Sequence, residues 1–259
     1  EILYYSILPT TTQYARNALM SGLMPLQIKE MYPQYWFDDN EENGKNLYED
    51  KLIELLLQRY RKNISFSYNK IASMPEDGKL IEKLPQLKDN QLNVCVLNFI
   101  DMLSHTRTEM KVMKEIANTE TAYRALSVNW FRYSPIMQLF KELSVSGYKV
   151  IITTDHGTVQ VNKPIKVIGD RNTSTNLRYK VGKALNYNKN EVFDITNPQK
   201  AMLPSPNVSS TYIFAKNRNF MAYPNNFNYY STYFKDSFQH GGISLEEMVV
   251  PFAVLNGKG

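Results

Sequence analysis

Three histidines occur in this chain of 259 residues, and each stands in a short segment of metal-ligand character. His105 closes Asp101-Met-Leu-Ser-His105, His156 lies between Asp155 and Gly157, and His240 opens His240-Gly241-Gly242. Three imidazoles with two carboxylates form a donor set that suits Zn²⁺ or Mn²⁺ and suits Ca²⁺ poorly. The sequence thus predicts a pair of divalent ions held by Asp101, His105, Asp155, His156 and His240.

A second chemical group lies near the start. Pro9-Thr10-Thr11-Thr12 joins an apolar run to a helical pattern, which puts a hydroxyl at a helix N-terminus, where unpaired N–H groups favour an anion. A metal-bound hydroxyl in that place could ionise near neutral pH and attack phosphorus. The plainer reading is that a threonine caps the helix.

These groups need strand ends and turns to hold them. Leu92–Ile100 and Tyr148–Thr153 are apolar, β-branched runs of strand length, so Asp101 and Asp155 fall just past two C-terminal strand ends. Ligands of open α/β sheets bind at that edge. A helix starting soon after Asp101 would return His105 to the same face four residues on.

The remaining pattern alternates. Thr12–Ser21 reads as a helix ended by Gly22, with further helical segments over Leu26–Met31, Leu47–Arg61 and much of Glu109–Leu143, broken near Pro135. Ile64–Tyr68 reads as a strand. Thr158–Tyr233 is expected to be loops and short hairpins capping the metal edge, with Thr211–Ala215 as one short strand. Ser244-Leu-Glu-Glu247 is a capping box, followed by a strand over Met248–Leu255. One mixed α/β domain over 1–259 is the simplest account. The opening Glu1–Leu8 reads as a strand already under way, and an upstream segment is expected.

Composition is that of an ordinary globular chain, 43% hydrophobic and 21% charged. The single Cys95 is expected in the core, which excludes an intrachain disulfide and points to a reducing, cytoplasmic setting. No apolar run of about 18 residues marks a membrane span. Between Val161 and Lys183 stand Lys163, Lys166, Arg171, Arg178, Lys180 and Lys183 against one acid, a surplus as large as the net charge of +5 for the whole chain. A basic loop beside a metal site suits an anionic substrate, with Arg171 and Arg178 the candidates to bind it. The acidic stretch Asp38–Asn43 reads as a remote surface loop.

The order of strand, Pro-Thr-Thr-Thr, helix, Asp-x-x-x-His, Asp-His-Gly and His-Gly-Gly resembles the alkaline phosphatase superfamily. His240-Gly-Gly-Ile-Ser-Leu-Glu-Glu-Met-Val-Val-Pro251 resembles its PglZ branch, and the whole chain is similar to the effector domain of PorX-type response regulators of type IX secretion. The resemblance implies an alkaline-phosphatase-like α/β fold with helices on both sheet faces, downstream of a receiver domain. It makes Thr12, ten residues before Gly22, the nucleophile. Asp101, His105 and His240 would hold one metal, and Asp155, His156 and Thr12 the other. The family's further metal-binding Asp, from a strand before the nucleophile, has no counterpart here. The expected activity is a zinc-dependent phosphodiesterase on nucleotide or oligonucleotide substrates, with regulatory protein partners, a homodimer in the full-length protein and no membrane association. The alternative is a signalling module whose zinc is structural. A sulfatase is disfavoured, because its nucleophile derives from Cys or Ser.

Overall fold

The computed structural model describes residues 2–39, 46–71, 82, 87–103, 115–116, 119–170 and 173–258. They gather into two compact units, one built from Ile2–Tyr60 and Thr153–Pro251, the other from Arg61–Ile152 and Phe252–Gly259. Among the described residues no helix is long and apolar enough to cross a membrane.

The core of the first unit lies where the sequence looks irregular. Thr211–Ala215 is the central strand of a three-stranded antiparallel sheet, flanked by Tyr179–Gly182 and Val192–Ile195. Its Tyr212, Ile213, Phe214 and Ala215 are all fully buried. Tyr212 and Phe214 pack with Tyr14, Ile28, Trp36 and Leu52 from the N-terminal segment, whereas Ile213 and Ala215 pack with Ile165, Val192 and Met221. A strand covered on both faces reads as a continuous apolar run, without the alternation that marks a half-exposed one. The stretch expected to be a cap is therefore the interior of this unit. Lys163–Lys166 pairs in parallel with Asn219–Ala222, and Val159–Gln160 pairs antiparallel with Phe238–Gln239.

The N-terminal helices surround this sheet. Thr12–Arg16 is a π-helical turn running directly into the α-helix Asn17–Ser21, which ends at Gly22 with φ +63°. Pro25–Met31 begins with proline at its first turn, where a missing N–H costs nothing. Glu49–Arg59 buries Glu49 and, three and four residues on, Leu52 and Ile53, along one face. The chain ends as expected, with a capping box opening Leu245–Met248 ahead of the strand Val249–Asn256.

In the second unit Phe66–Ile71 pairs in parallel with Leu92–Leu97, in a register of Phe66 to Leu92 and Ile71 to Leu97. Thr119 caps Glu120–Tyr133 by accepting from Ala122 N at 3.2 Å, and Ser134 joins it to Pro135–Val145. Ile71, Ile136 and Leu139 form the core between strands and helices. Asp101 sits in the helical turn after the second strand, as its position predicts, and Tyr123 donates to the carbonyl of Ile100 there at 3.1 Å. Cys95 is exposed, not in the core, while its neighbour Val96 is buried. His105, Arg171 and much of the helix expected over Glu109–Leu143 before Thr119 lie outside the described residues.

Candidate functional site

Thr12 is the first residue of the π-helical turn, preceded by Thr11 in extended backbone. That change of direction carries the Thr12 hydroxyl to 3.3 Å from Nε2 of His156. Nδ1 of His156 lies 3.0 Å from the carbonyl of Gly157, and Nδ1 of His240 lies 3.2 Å from the carbonyl of Thr10. A carbonyl only accepts, so each ring directs a protonated Nδ1 at its carbonyl, which fixes the ring's orientation. The two rings stack with centroids 4.1 Å apart and planes inclined by 16°.

Thr10 ties the ends of this arrangement together. Its buried hydroxyl donates to the carbonyl of Gly242 at 2.9 Å and accepts from Gly241 N at 3.0 Å. Residues 231 and 232 positions apart are thereby joined by direct hydrogen bonds.

Asp155 completes the cluster, with Oδ2 3.8 Å from His156 Nε2. Arg16 Nε donates to the same oxygen at 3.0 Å, and its Nη1 lies 3.6 Å from the buried Glu49. Burial works to raise the Asp155 pKa, but the charges of His156 and Arg16, with hydrogen bonds from backbone and Arg16, hold it below the usual carboxylate value. Arg16 is absent from the sequence reading, although its offset of four residues from Thr12 places it on the same face of a helical turn.

The turn carrying His240 is braced from below. Glu247 accepts from Gly242 N at 2.8 Å and from the backbone and hydroxyl of Ser244, at 3.1 and 2.7 Å. Arg178 closes on the same carboxylate, Nε at 2.9 Å and Nη2 at 2.5 Å, and its Nη1 donates to the carbonyl of Asn219. Arg178 is 0% exposed. The substrate role expected for it gives way to a structural one, because a guanidinium enclosed by a carboxylate and a carbonyl cannot reach a ligand.

Lys180 follows the same pattern, whereas Lys163, Lys166 and Lys183 are exposed. Lys180 is buried and donates to the carbonyl of Ser174 at 2.8 Å, with its ammonium 4.7 Å from the centre of the Tyr223 ring. Burial pulls its pKa down to about 7. Lys163 pairs with Glu191 at 3.0 Å, and Lys166 sits over Phe227 at 5.0 Å. Asp38 and Asp39, the described part of the acidic stretch, are also not in a remote surface loop. Asp38 receives Lys29 at 2.7 Å and the Trp36 indole at 3.0 Å, and Asp39 lines a cavity of about 230 Å³ together with Thr12, Ser174, Thr175, Asn176 and His240.

Thr12, Asp155, His156 and His240 are thus brought together in one unit. Asp101 belongs to the other unit, and His105 is outside the described residues. Among the described residues no group of three or more His, Cys, Asp or Glu is gathered for a metal ion. Asp155, His156 and Thr12 nonetheless fit one in donor type and spacing. Bonds of about 2.0–2.1 Å around a tetrahedral zinc set its ligands about 3.3 Å apart, against 3.3 Å and 3.8 Å here.

Two solved structures resemble the chain in fold. Phosphonoacetate hydrolase from Sinorhizobium meliloti 1021 in complex with phosphonoformate aligns with a TM-score of 0.56 at 10% identity, covering 97% of this chain and 80% of that one. The same enzyme in complex with phosphonoacetate gives 0.55 with the same identity and coverage. No curated protein matches the chain in sequence. The profile described as "BREX system PglZ alkaline phosphatase-like domain" matches residues 1–255. Its span takes in the threonine turn, the Asp-His-Gly segment and the His-Gly-Gly turn alike, and the chain belongs to the PglZ family of alkaline phosphatase-like domains.

Proposed function

We propose that the chain is a metal-dependent phosphodiesterase whose nucleophile is Thr12, acting on nucleotide or oligonucleotide substrates as the effector domain of a response regulator. Membership of an alkaline-phosphatase-like hydrolase family supports phosphoryl hydrolysis. The observation that carries the finer reading is the hydrogen bond between Thr12 and His156, with Asp155 and His240 around it.

Asp155, His156 and Thr12 would hold one divalent cation, most suitably zinc, with the His240 ring stacked beside them. Divalent ions at such a site lower the pKa of a bound hydroxyl and neutralise charge on the leaving oxygen. Thr12 Oγ1 would form a bond to phosphorus as the bond to one alcohol oxygen breaks, its proton leaving with that alcohol, and water would later displace Thr12 to release the remaining phosphomonoester. Arg16 keeps Asp155 ionised and turned inward. Thr10 holds the His240 ring, fixing the nitrogen that faces the site. A diester is preferred to a monoester because, among the described residues, no Lys or Arg lines the cavity beside Thr12, which suits an esterified second substituent.

A second reading is a partner-binding effector module with structural zinc. The helix Phe227–Phe234 favours it: none of its residues is buried, Tyr229 is 63% exposed, and its rings stack in pairs, Tyr229 on Tyr233 and Tyr230 on Phe234. Metal content and hydrolysis of bis(p-nitrophenyl) phosphate, measured on the chain and on Thr12→Ala, separate the two. Bound metal with turnover abolished in the variant supports the enzyme. Bound metal without turnover of any phosphate ester leaves the module.

A further inference from the structure

Asn176 stands in the wall of the cavity that also includes Thr12 and His240. Its Oδ1 accepts from two backbone N–H groups, that of Arg178 at 2.7 Å and that of Tyr179 at 3.2 Å. This is an Asx turn, in which a side-chain carbonyl takes the place of a backbone one. The two donors also fix which way the carboxamide faces, because the reversed group would set its NH₂ against both of them. Nδ2, with its two N–H bonds, then meets no acceptor among the described residues.

The backbone that carries this side chain is tied to its neighbours. Ser174 donates its N–H to the carbonyl of Val181 at 3.1 Å, while its hydroxyl accepts from Val181 N at 3.0 Å and its carbonyl from Lys180 Nζ at 2.8 Å. The carbonyls of Leu177 and Arg178 accept from Met221 N and Ala215 N, both at 2.7 Å. The carboxamide itself packs against the histidine turn: a Cβ on Gly241 would stand 2.8 Å from Asn176 Oδ1 and 3.1 Å from Thr11 Cγ2. The amide is therefore set against the residues that adjoin Thr12 and His240, on a segment held in place before any ligand arrives.

Phosphoryl transfer spreads negative charge over the non-bridging oxygens, and a donor already fixed in position stabilises that charge without reorganising. We infer that Asn176 is a further catalytic residue, whose Nδ2 donates to a non-bridging oxygen of the phosphoryl group that Thr12 attacks. The inference rests on the proposed role of Thr12.

Two variants test it, each measured for zinc content, for calorimetric binding of inorganic phosphate to the zinc-loaded chain and for hydrolysis of bis(p-nitrophenyl) phosphate. Asn176→Asp keeps an oxygen for the two backbone N–H groups and removes the donor, whereas Asn176→Ala removes the donor without adding a charge. In both, kcat is expected to fall about 10²-fold, the usual cost of losing one donor to a developing negative charge. The dissociation constant of phosphate should rise about tenfold, as for a lost hydrogen bond to a charged group, with zinc content unchanged. Phosphate affinity equal to the parent's in either folded variant, or loss of zinc from Asn176→Asp, would overturn the inference; a loss confined to Asn176→Ala is the pattern of a residue that only shapes the turn. Should Asn176→Ala not fold, Asn176→Asp decides. Thr12→Ala separates this inference from the reading beneath it. If that variant still hydrolyses the diester while the Asn176 variants lose phosphate, the nucleophile is wrong and Asn176 remains a phosphate donor. If Thr12→Ala abolishes turnover and the Asn176 variants bind phosphate as the parent does, the nucleophile stands and the role of Asn176 falls.

Discussion

Arg178 and Glu247 form a two-pronged ion pair with no exposure of either side chain, and the same carboxylate holds the backbone of Gly242 and Ser244. The pair links the start of the edge strand Tyr179–Gly182 to the turn that carries His240, so the imidazole is set by charges that themselves touch no substrate. Removing one member leaves the other as an uncompensated buried charge.

Arg178→Met is therefore expected to destabilise the chain by about 3–5 kcal/mol, measured by urea unfolding. Arg178→Met combined with Glu247→Leu should recover part of the loss, because replacing both members removes the buried charge as well. A single variant as stable as the parent would refute the structural role.

Gly157 makes a different contact. A Cβ there would stand 2.1 Å from the carbonyl oxygen of Glu246, against backbone that cannot swing aside. Gly157→Ala should cost about 1–3 kcal/mol through overpacking. It should also displace His156, so hydrolysis is expected to fall by more than the loss of folded protein accounts for. Activity per folded molecule, compared with that of the parent, is the deciding measurement.

How much of this was legible in the chain depends on the range of the signal. Thr12, Asp155, His156 and His240 announce themselves by residue type, and Gly22 and the Ser244 capping box mark element ends by local chemistry. Arg178 could not be placed that way: its partner Glu247 lies 69 residues away, and a Lys- and Arg-rich stretch has the same composition whether its charges face solvent or the interior. Asp39 was misread for a related reason, since a run of acids looks solvated until Tyr14 and Tyr179 are seen to fold onto one of them. The strand Thr211–Ala215 lacks alternation because both of its faces are covered.

Lys180 gives a pH dependence of definite sign. Its folded pKa is pulled down to about 7 by burial, from 10.5 in the free side chain. Between those values the unfolded chain binds the extra proton, so stability rises with pH from about 7 towards 10, by at most about 1.4 kcal/mol per pH unit. Lys180→Met should flatten that rise and leave the profile at lower pH almost unchanged. Unfolding free energies at pH 6, 7.5 and 9 suffice, and parallel curves for parent and variant would remove Lys180 as the cause.

The metal assignment can be tested apart from catalysis. A ligand that binds only the folded chain stabilises it by about 2.7 kcal/mol at one hundred times its dissociation constant. Zinc should thus raise the unfolding temperature of the parent, and a chelator should reverse the change. His156→Ala removes the nitrogen that lies 3.3 Å from the Thr12 hydroxyl and 3.8 Å from Asp155. In that variant the zinc-dependent shift is expected to shrink. Arg16→Met should spare most of it, because Arg16 holds Asp155 without being able to bind a cation itself. A zinc shift of the parent's size in His156→Ala would mean that the stabilising ion sits elsewhere, and the pairing of Thr12 with His156 would then describe a hydrogen bond and not a metal centre.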